Sequence, residues 1–371
     1  MPLVTGPNVP QARAGTEIPW DEVGDGWHVV LYNASRANPI GPEDVEERSV
    51  LAYMVSPDAT LYQAVVWAPG TGPDTIADLA GTHLLVIGST GDGPLYQVAD
   101  LRDGSKTTIR VPGTGLLDGP WPPVGLTRPT GKNMIVWGSD GTTEWLERRA
   151  LDGTVLARVS ERPYTGWAGT FSWLYGYAGL KVVIGHGGEL ASVRTNGEPL
   201  RTLMVPDDRI CEPVRWWDAD TVLARCSSAE GTYGYYFQLW LIPSDGTPGV
   251  ALTSLPPSPE VVDFGYVDAW PAGGQTLLQW TGDCGASNVQ ILQPDGTGIG
   301  LETPWMEGID GYRLVDVVGG IATIQTWRGC DAWEGSLDAI GLDGALIRHL
   351  VPIVGDARGV IDSAGPATVY P

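Results

Sequence analysis

A turn tripeptide repeats seven times along the chain, and that repetition constrains the fold more than any other feature of the sequence. The copies are Asp58-Ala59-Thr60, Asp103-Gly104-Ser105, Asp152-Gly153-Thr154, Asn196-Gly197-Glu198, Asp245-Gly246-Thr247, Asp295-Gly296-Thr297 and Asp343-Gly344-Ala345. They follow one another at 44 to 50 residues, the period of a propeller blade built from four strands. Asp-Gly and Asn-Gly favour two-residue hairpins of type I′, in which both central residues take positive φ. Strand-like residues flank each copy: 237–242 and 250–253 around the fifth, 336–342 and 346–350 around the seventh.

A second marker keeps the same count. About 20 or more residues before each turn lies a short apolar run of the kind that forms a buried strand: residues 29–32, 84–87, 134–137, 182–184, 222–224, 277–279 and 322–324. Each repeat therefore reads as strand a, strand b (the apolar run), a b–c loop, strand c, the Asp-Gly turn, strand d, and a connection to the next repeat. The expectation is an all-β, seven-bladed β-propeller of four-stranded antiparallel blades, closed by its N- and C-terminal segments. Residues 1–16 read as a flexible linker and 17–371 as one propeller. The tail, with strand-like residues 360–362 and 367–369, is expected to join the N-terminal blade, since closure removes exposed sheet edges.

Composition agrees. Gly (51), Pro (30) and Trp (16) are plentiful, and charged residues make up 18%, which suits short strands and many turns. A net charge of −22 excludes a nucleic-acid partner, because phosphate binding needs clustered Lys and Arg; Lys106, Lys132 and Lys181 are the only lysines. Such acidity favours a soluble monomer or attracts a cationic partner. No run of some 18 apolar residues exists to span a membrane. The first 16 residues lack the basic start and apolar stretch of a secretion signal, so export would require a signal already removed.

The repeated x-Asp-Gly-Thr turn after an aromatic or aliphatic strand resembles the TolB, YncE and WD40-like propellers of bacteria, over nearly the whole chain. More narrowly, Ile18-Pro19-Trp20-Asp21-Glu22-Val23-Gly24 with Gly26-Trp27, Thr127-Arg128-Pro129-Thr130-Gly131-Lys132, and Pro213-Val214-Arg215-Trp216-Trp217-Asp218 resemble secreted or lipid-anchored actinobacterial propellers. The resemblance implies fold and compartment, and no activity.

Four cysteines allow three pairings. Cys226, Cys284 and Cys330 follow strand b of their repeats and Cys211 precedes strand a of the fifth, so all four fall at the end that carries the b–c loops. Cys211 and Cys226 flank neighbouring strands, while Cys284 and Cys330 occupy matching loops of adjacent blades. The expected bridges are Cys211–Cys226 and Cys284–Cys330. Closing the 15-residue loop of the first contributes about 3 kcal/mol in the chain-entropy model, and disulfides indicate an extracytoplasmic, oxidising compartment. The four histidines, His28, His83, His186 and His349, are isolated and no C-x2-C spacing occurs, so neither a metal nor another cofactor is expected.

Loops on the b–c and d–a side are the candidate site. Trp280, Trp327, Arg328, Trp333, Tyr233, Tyr235, Trp167 and Trp305 are candidate ligand-binding residues there, alongside Trp121, Tyr164, Tyr236, Glu230 and Glu307. Indole and phenol faces beside carboxylates suit sugar rings, and the same side chains also fill wedges between blades. No motif with catalytic spacing appears. The leading expectation is a non-catalytic binding scaffold for a protein, peptide or glycan. The alternative is a carbohydrate-active enzyme using Asp283, Asp331 or Glu334 as paired carboxylates, or His186 as acid or base. Residues 125–133 lack phosphate-loop spacing, and there is no Gly-x-Ser-x-Gly elbow.

Overall fold

A computed structural model describes residues 3–36, 50–68, 71–90, 93–109, 124–128, 130–163, 172–175, 181–186, 189–207, 209–228, 237–255, 263–282, 287–305, 309, 311–327, 335–355 and 357–364. All seven repeats form antiparallel sheets, and the fold is a seven-bladed β-propeller. By packing the chain divides into two compact units. One comprises residues 1–110, 129–132 and 302–371 and holds blades 1, 2 and 7; the other comprises 111–128 and 133–301 and holds blades 3 to 6.

The fourth blade shows the plan: strand a is Ser172–Tyr175, b Lys181–His186, c Glu189–Arg194 and d Pro199–Leu203, bonded in that order. The first blade draws on both ends of the chain. Its strand a is the C-terminal Ala357–Ala364, which pairs with b, His28–Arg36, followed by c, Val50–Val55, and d, Leu61–Val66. The tail thus joins the N-terminal blade as expected for residues 360–362, while 367–369 lie outside the described residues. A fifth strand, Arg13–Ala14, runs parallel to strand d, so part of the segment read as a linker is paired.

The apolar runs are continuous because both faces of strand b are enclosed. Alternate residues of a strand point to opposite faces, and each face feeds a different core. Val29 and Leu31 pack with Leu84, Val86 and Ala99 of the second blade, whereas Val30 and Tyr32 pack with Leu337 and Ala339 of the seventh. In the other unit Val182 and Ile184 join Ile135 and Trp137 of the third blade, while Val183 joins Val222 and Ala224 of the fifth. Burying a side chain of this size contributes about 1.5–3 kcal/mol, so a polar residue in strand b would weaken the contact between two blades. Strand d has less cover: in Pro199–Leu203 only Leu203 is buried.

The turns differ in type from the expectation. Positive φ falls on the residue after Asp or Asn alone: Gly104, Gly153, Gly197, Gly246, Gly296, Gly344 and, in the first blade, Ala59 at 68°. In the fourth blade Gly197 N–H donates to Arg194 O and Arg194 N–H to Glu198 O, the pattern of a type I turn closed by a left-handed residue in a three-residue loop. The Asp or Asn ahead of it uses its own Oδ1 as acceptor, for example from Thr154 N–H at 2.9 Å and Thr247 N–H at 2.9 Å. That side-chain bond holds the preceding residue in the right-handed region, so type I wins over type I′. The same backbone bonds hold Asp152 and Asp245 below the usual carboxylate range.

Ala59 is the only non-glycine residue at positive φ among the described residues. A left-handed alanine costs about 1 kcal/mol, so Ala59→Gly is expected to raise stability by up to about 1 kcal/mol, less the added freedom of the unfolded chain. A thermal melt showing an unchanged or lower midpoint would refute this. Gly197 has a second constraint, for an added Cβ would sit 2.4 Å from the carbonyl oxygen of Arg158 in the third blade.

Candidate functional site

The structure places some of the expected site residues. Trp280, in strand b of the sixth blade (Gln275–Gly282), is half-buried and packs on the core that contains Leu223, Tyr266 and Leu278. Trp327 ends strand b of the seventh blade (Ile321–Trp327) and is half-buried. Trp305 lies against the outer hairpin of that blade: its indole N–H donates to Gly344 O at 2.9 Å in the c–d turn, and its ring meets His349 edge-on at 6.5 Å. His186 closes strand b of the fourth blade, paired with Glu189. Asp283, Asp331, Glu334, Arg328, Trp333, Tyr233, Tyr235, Trp167, Cys284 and Cys330 lie outside the described residues, as do Trp121, Tyr164, Tyr236, Glu230 and Glu307.

The first expected bridge is present. Cys211 and Cys226 form a disulfide within strands a (Arg209–Trp216) and b (Thr221–Ser228) of the fifth blade, not in their flanks, and they are direct cross-strand partners with Cα atoms 4.1 Å apart. Both are buried. Beside them Arg225 pairs with Glu212 at 2.7 Å and lies over the Phe237 ring at 4.9 Å.

Two polar clusters were not legible as sites in the sequence. In the seventh blade Asp338, on strand c (Leu337–Gly341), is fully buried and accepts from Ser336 Oγ at 2.5 Å. Its other oxygen lies 2.6 Å from Nδ1 of His349 on strand d (Leu346–Val351), and Thr326 Oγ1 meets Ser336 Oγ at 2.7 Å. Burial pushes the Asp338 carboxyl up, opposed by the bonds from Ser336 and His349. The contact of Nδ1 with the carboxylate fixes the orientation of the imidazole. The signal was available in the hairpin register, which makes Asp338 and His349 cross-strand partners about the Asp343 turn.

The second cluster joins the inner strands of the fifth and sixth blades. Arg215 makes a bidentate pair with Asp268, Nε–Oδ1 and Nη2–Oδ2 both 2.7 Å, and its guanidinium lies 3.6 Å over the Trp270 ring. Asp268 is on strand a of the sixth blade (Asp263–Ala272), and burial raises its carboxyl against the pull of Arg215. Lys181 Nζ lies 4.8 Å over Trp216, and burial holds it below the ordinary lysine value. These indoles sit where strands a enter the a–b turns, the end opposite the b–c loops, and their faces are covered by cations. Arg158 over Trp145, next to a b–c turn, and Lys106 over Trp67, just past a strand d, make the same cation–indole contact at the other end of their blades. Such contacts contribute about 0.5–2 kcal/mol each and assign these tryptophans to packing. Among the described residues no three His, Cys, Asp or Glu side chains group as a metal site, and no helix is long and apolar enough to cross a membrane.

No family model matches the chain, and no curated protein matches it. Solved structures do. A protein from Lactobacillus plantarum shares 12% identity at a TM-score of 0.53, with 91% of this chain and 99% of that chain covered. A putative 6-phosphogluconolactonase from Bacteroides fragilis shares 12% at 0.52, covering 91% and 98%. A structure from a study of two prolyl endopeptidases shares 12% at 0.53, covering 82% of this chain; the chain spans 46% of that one's length. At these identities the likeness establishes the propeller fold alone.

Proposed function

We propose that the protein is a non-catalytic binding propeller of an oxidising, extracytoplasmic compartment, and that its b–c and d–a loops present aromatic and acidic side chains to a protein, peptide or glycan. The observation that carries the compartment is the buried Cys211–Cys226 bridge, since such bonds persist where thiols are not kept reduced. The pairing of Cys284 with Cys330 belongs to the same reading, as does descent from TolB-like, secreted actinobacterial propellers. The acidity of the chain, −22 overall, supports a monomer that meets cationic or neutral partners rather than nucleic acid. Trp280, Trp327, Trp333 and Arg328 are the residues assigned to the loop site.

Two measurements test this. Intact mass before and after alkylation of the natively isolated, denatured protein is expected to show no modified cysteine; four alkylated thiols would overturn the compartment. Screening the full chain on peptide and glycan arrays is expected to give a ligand whose binding drops at least tenfold in a Trp327→Ala, Trp333→Ala double variant. Arrays with no ligand, or binding that survives the substitutions, would overturn the loop site.

A further inference from the structure

The outer strand of the first blade has a cover that four other blades lack at the same position. Counting from the positive-φ residue of each c–d turn, the third position is Leu156 in the third blade, Leu200 in the fourth, Ile299 in the sixth and Ile347 in the seventh, exposed by 45%, 42%, 59% and 44%. In the first blade it is Tyr62, 5% exposed. The chain's own N-terminal segment lies on it. Arg13 and Ala14 pair in parallel with Tyr62 and Gln63, Arg13 lies over the Tyr62 ring at 5.9 Å, and Trp27 stacks on the same ring. Gly15 follows with no room for a side chain, an added Cβ falling 2.6 Å from Gln63 O.

The segment reaches beyond that edge in both directions. After Gly15, residues Ile18, Val23 and Trp27 are buried in the core that the first and second blades share, and Arg102 of the second blade's c–d turn lies over the Trp20 ring at 5.3 Å. Before Arg13, residues Val4, Val9 and Ala12 pack on the core between the first and seventh blades, which holds Ala357 and Val360 of the C-terminal strand. Val4 N–H donates to Gln63 Oε1 at 3.1 Å. Pro7 and Asn8 lie against Gly355, where an added Cβ would fall 2.8 Å from Pro7 O and 2.5 Å from Asn8 Oδ1. Gly355 belongs to the turn that leads into the C-terminal strand: Val354 N–H donates to the Tyr32 hydroxyl at 3.1 Å, and Ala357 N–H to Val354 O at 3.2 Å.

We propose that residues 4–27 are a latch on the C-terminal strand: Ala357–Ala364 completes the first blade from inside, and the N-terminal segment, laid from the Gly355 turn across the first blade to the second, keeps it seated. A strand near a chain end frays unless other parts of the fold tie it down. Here the tie acts at the turn where the strand enters the blade and at the core into which Ala357 and Val360 point. The latch opens before the strand does, because its own pairing spans two residues and that of the C-terminal strand eight, and local opening starts where the fewest bonds must break. Lifting the segment, by a cut within it or by a competitor for its seat, therefore loosens the C-terminal strand at the seam of the seventh and first blades. This device uses no residue assigned to the loop site, so either assignment can fail without the other.

Hydrogen exchange of the full chain under native conditions, read by mass spectrometry, tests the latch. Gly15→Val drives a side chain into Gln63 O and unseats the segment without touching the C-terminal strand. Amides of residues 61–66 and of residues 357–364 are both expected to exchange at least tenfold faster in this variant, while those of residues 181–194 in the fourth blade keep their wild-type rates. Arg13→Glu, which removes only the cation over Tyr62, should speed the same two stretches by a smaller factor, and it carries the test alone if Gly15→Val does not fold. Faster exchange confined to residues 61–66 would reduce the segment to an edge cover and overturn the proposal. So would an equal rise in every blade, which is global destabilisation, or unchanged rates in residues 357–364.

Discussion

Asp362→Ala is expected to lower folding stability by roughly 3–5 kcal/mol, the range for stripping one partner from a buried charged network. Asp362 sits on the C-terminal strand that completes the first blade. It is buried, and its carboxylate binds the inner strands of both neighbouring blades. On one side Oδ2 accepts from Thr75 Oγ1 at 2.5 Å and from Ile76 N–H at 2.7 Å, both on strand a of the second blade (Thr75–Ala80). On the other, Oδ1 accepts from Arg313 on strand a of the seventh blade (Gly311–Val318). Arg313 also reaches Gln325 Oε1 at 2.9 Å, and Ser363 Oγ donates to the same oxygen at 2.7 Å. Removing the carboxylate leaves Ile76 N–H without its acceptor and Arg313 without its counter-charge, where an unmet buried donor alone costs about 1–3 kcal/mol. Arg313 is 42% exposed on its side chain and can turn to water, so most of the loss comes from the Thr75 and Ile76 donors left without their acceptor. Arg313→Ala keeps those two bonds but leaves the buried Asp362 carboxylate without its counter-charge, so it should also destabilise, by about 1–3 kcal/mol. Urea unfolding of the two variants measures both losses. A loss under about 1 kcal/mol for Asp362→Ala would show that the closing strand is held by its backbone bonds and apolar contacts instead.

Acidification is expected to remove about 3 kcal/mol of stability through His28 alone. The ring is buried at the start of strand b of the first blade, with Nε2 3.9 Å from Asp316 Oδ2. Burial, opposed by the Gly26 backbone, lowers its pKa from 6.5 to about 4. The folded protein thus keeps His28 neutral while the unfolded chain takes a proton below pH 6.5. The contribution is fully present above pH 6.5, falls as the pH drops from 6.5 to about 4, and changes no further below that; the shift corresponds to about 3 kcal/mol. Asp338 and Asp268 act with the opposite sign, since burial raises both carboxyls and their contributions improve on acidification. Comparing the wild type with His28→Leu cancels those terms. Between pH 7.5 and 4 the wild type should lose about 3 kcal/mol more than the variant, measured by denaturant midpoints at each pH. Parallel pH profiles would mean that Asp316 at 3.9 Å holds the charged ring as well as it holds the neutral one.

Both effects depend on residues that the repeat pattern leaves unmarked. Asp362 lies in a strand-like run near the C-terminus, and its place in the first blade followed from the need to close the fold. Its partners Thr75, Ile76 and Arg313 are 287, 286 and 49 residues away, and no local spacing connects them. His28 was legible only as an isolated histidine before an apolar run. For Trp216 and Trp270, whether an indole face is open to a ligand depends on the cation laid over it, and Lys181 and Arg215 reach them across blades. The Cys211–Cys226 bridge is the contrary case. Both residues lie in one hairpin, and hairpin register is set locally by the turn and the alternation of buried side chains.

What the sequence determined by itself was therefore everything that depends on short range. The seven turns, the seven strands b, the four-strand order of each blade and the hairpin disulfide follow from turn chemistry and from period-two burial, which act over fewer than about 25 residues. Even there, type I geometry displaced type I′ because each Asp or Asn side chain bonds its own turn. The tertiary structure decided which polar groups meet between blades: the Asp362 clamp, the Arg215–Asp268 pair and the burial that keeps His28 neutral. Those contacts depend on Coulomb and desolvation energies among groups that chain order does not bring together. The same holds for the outer strands, where only folding reveals that Tyr62 is covered and Leu156 is bare.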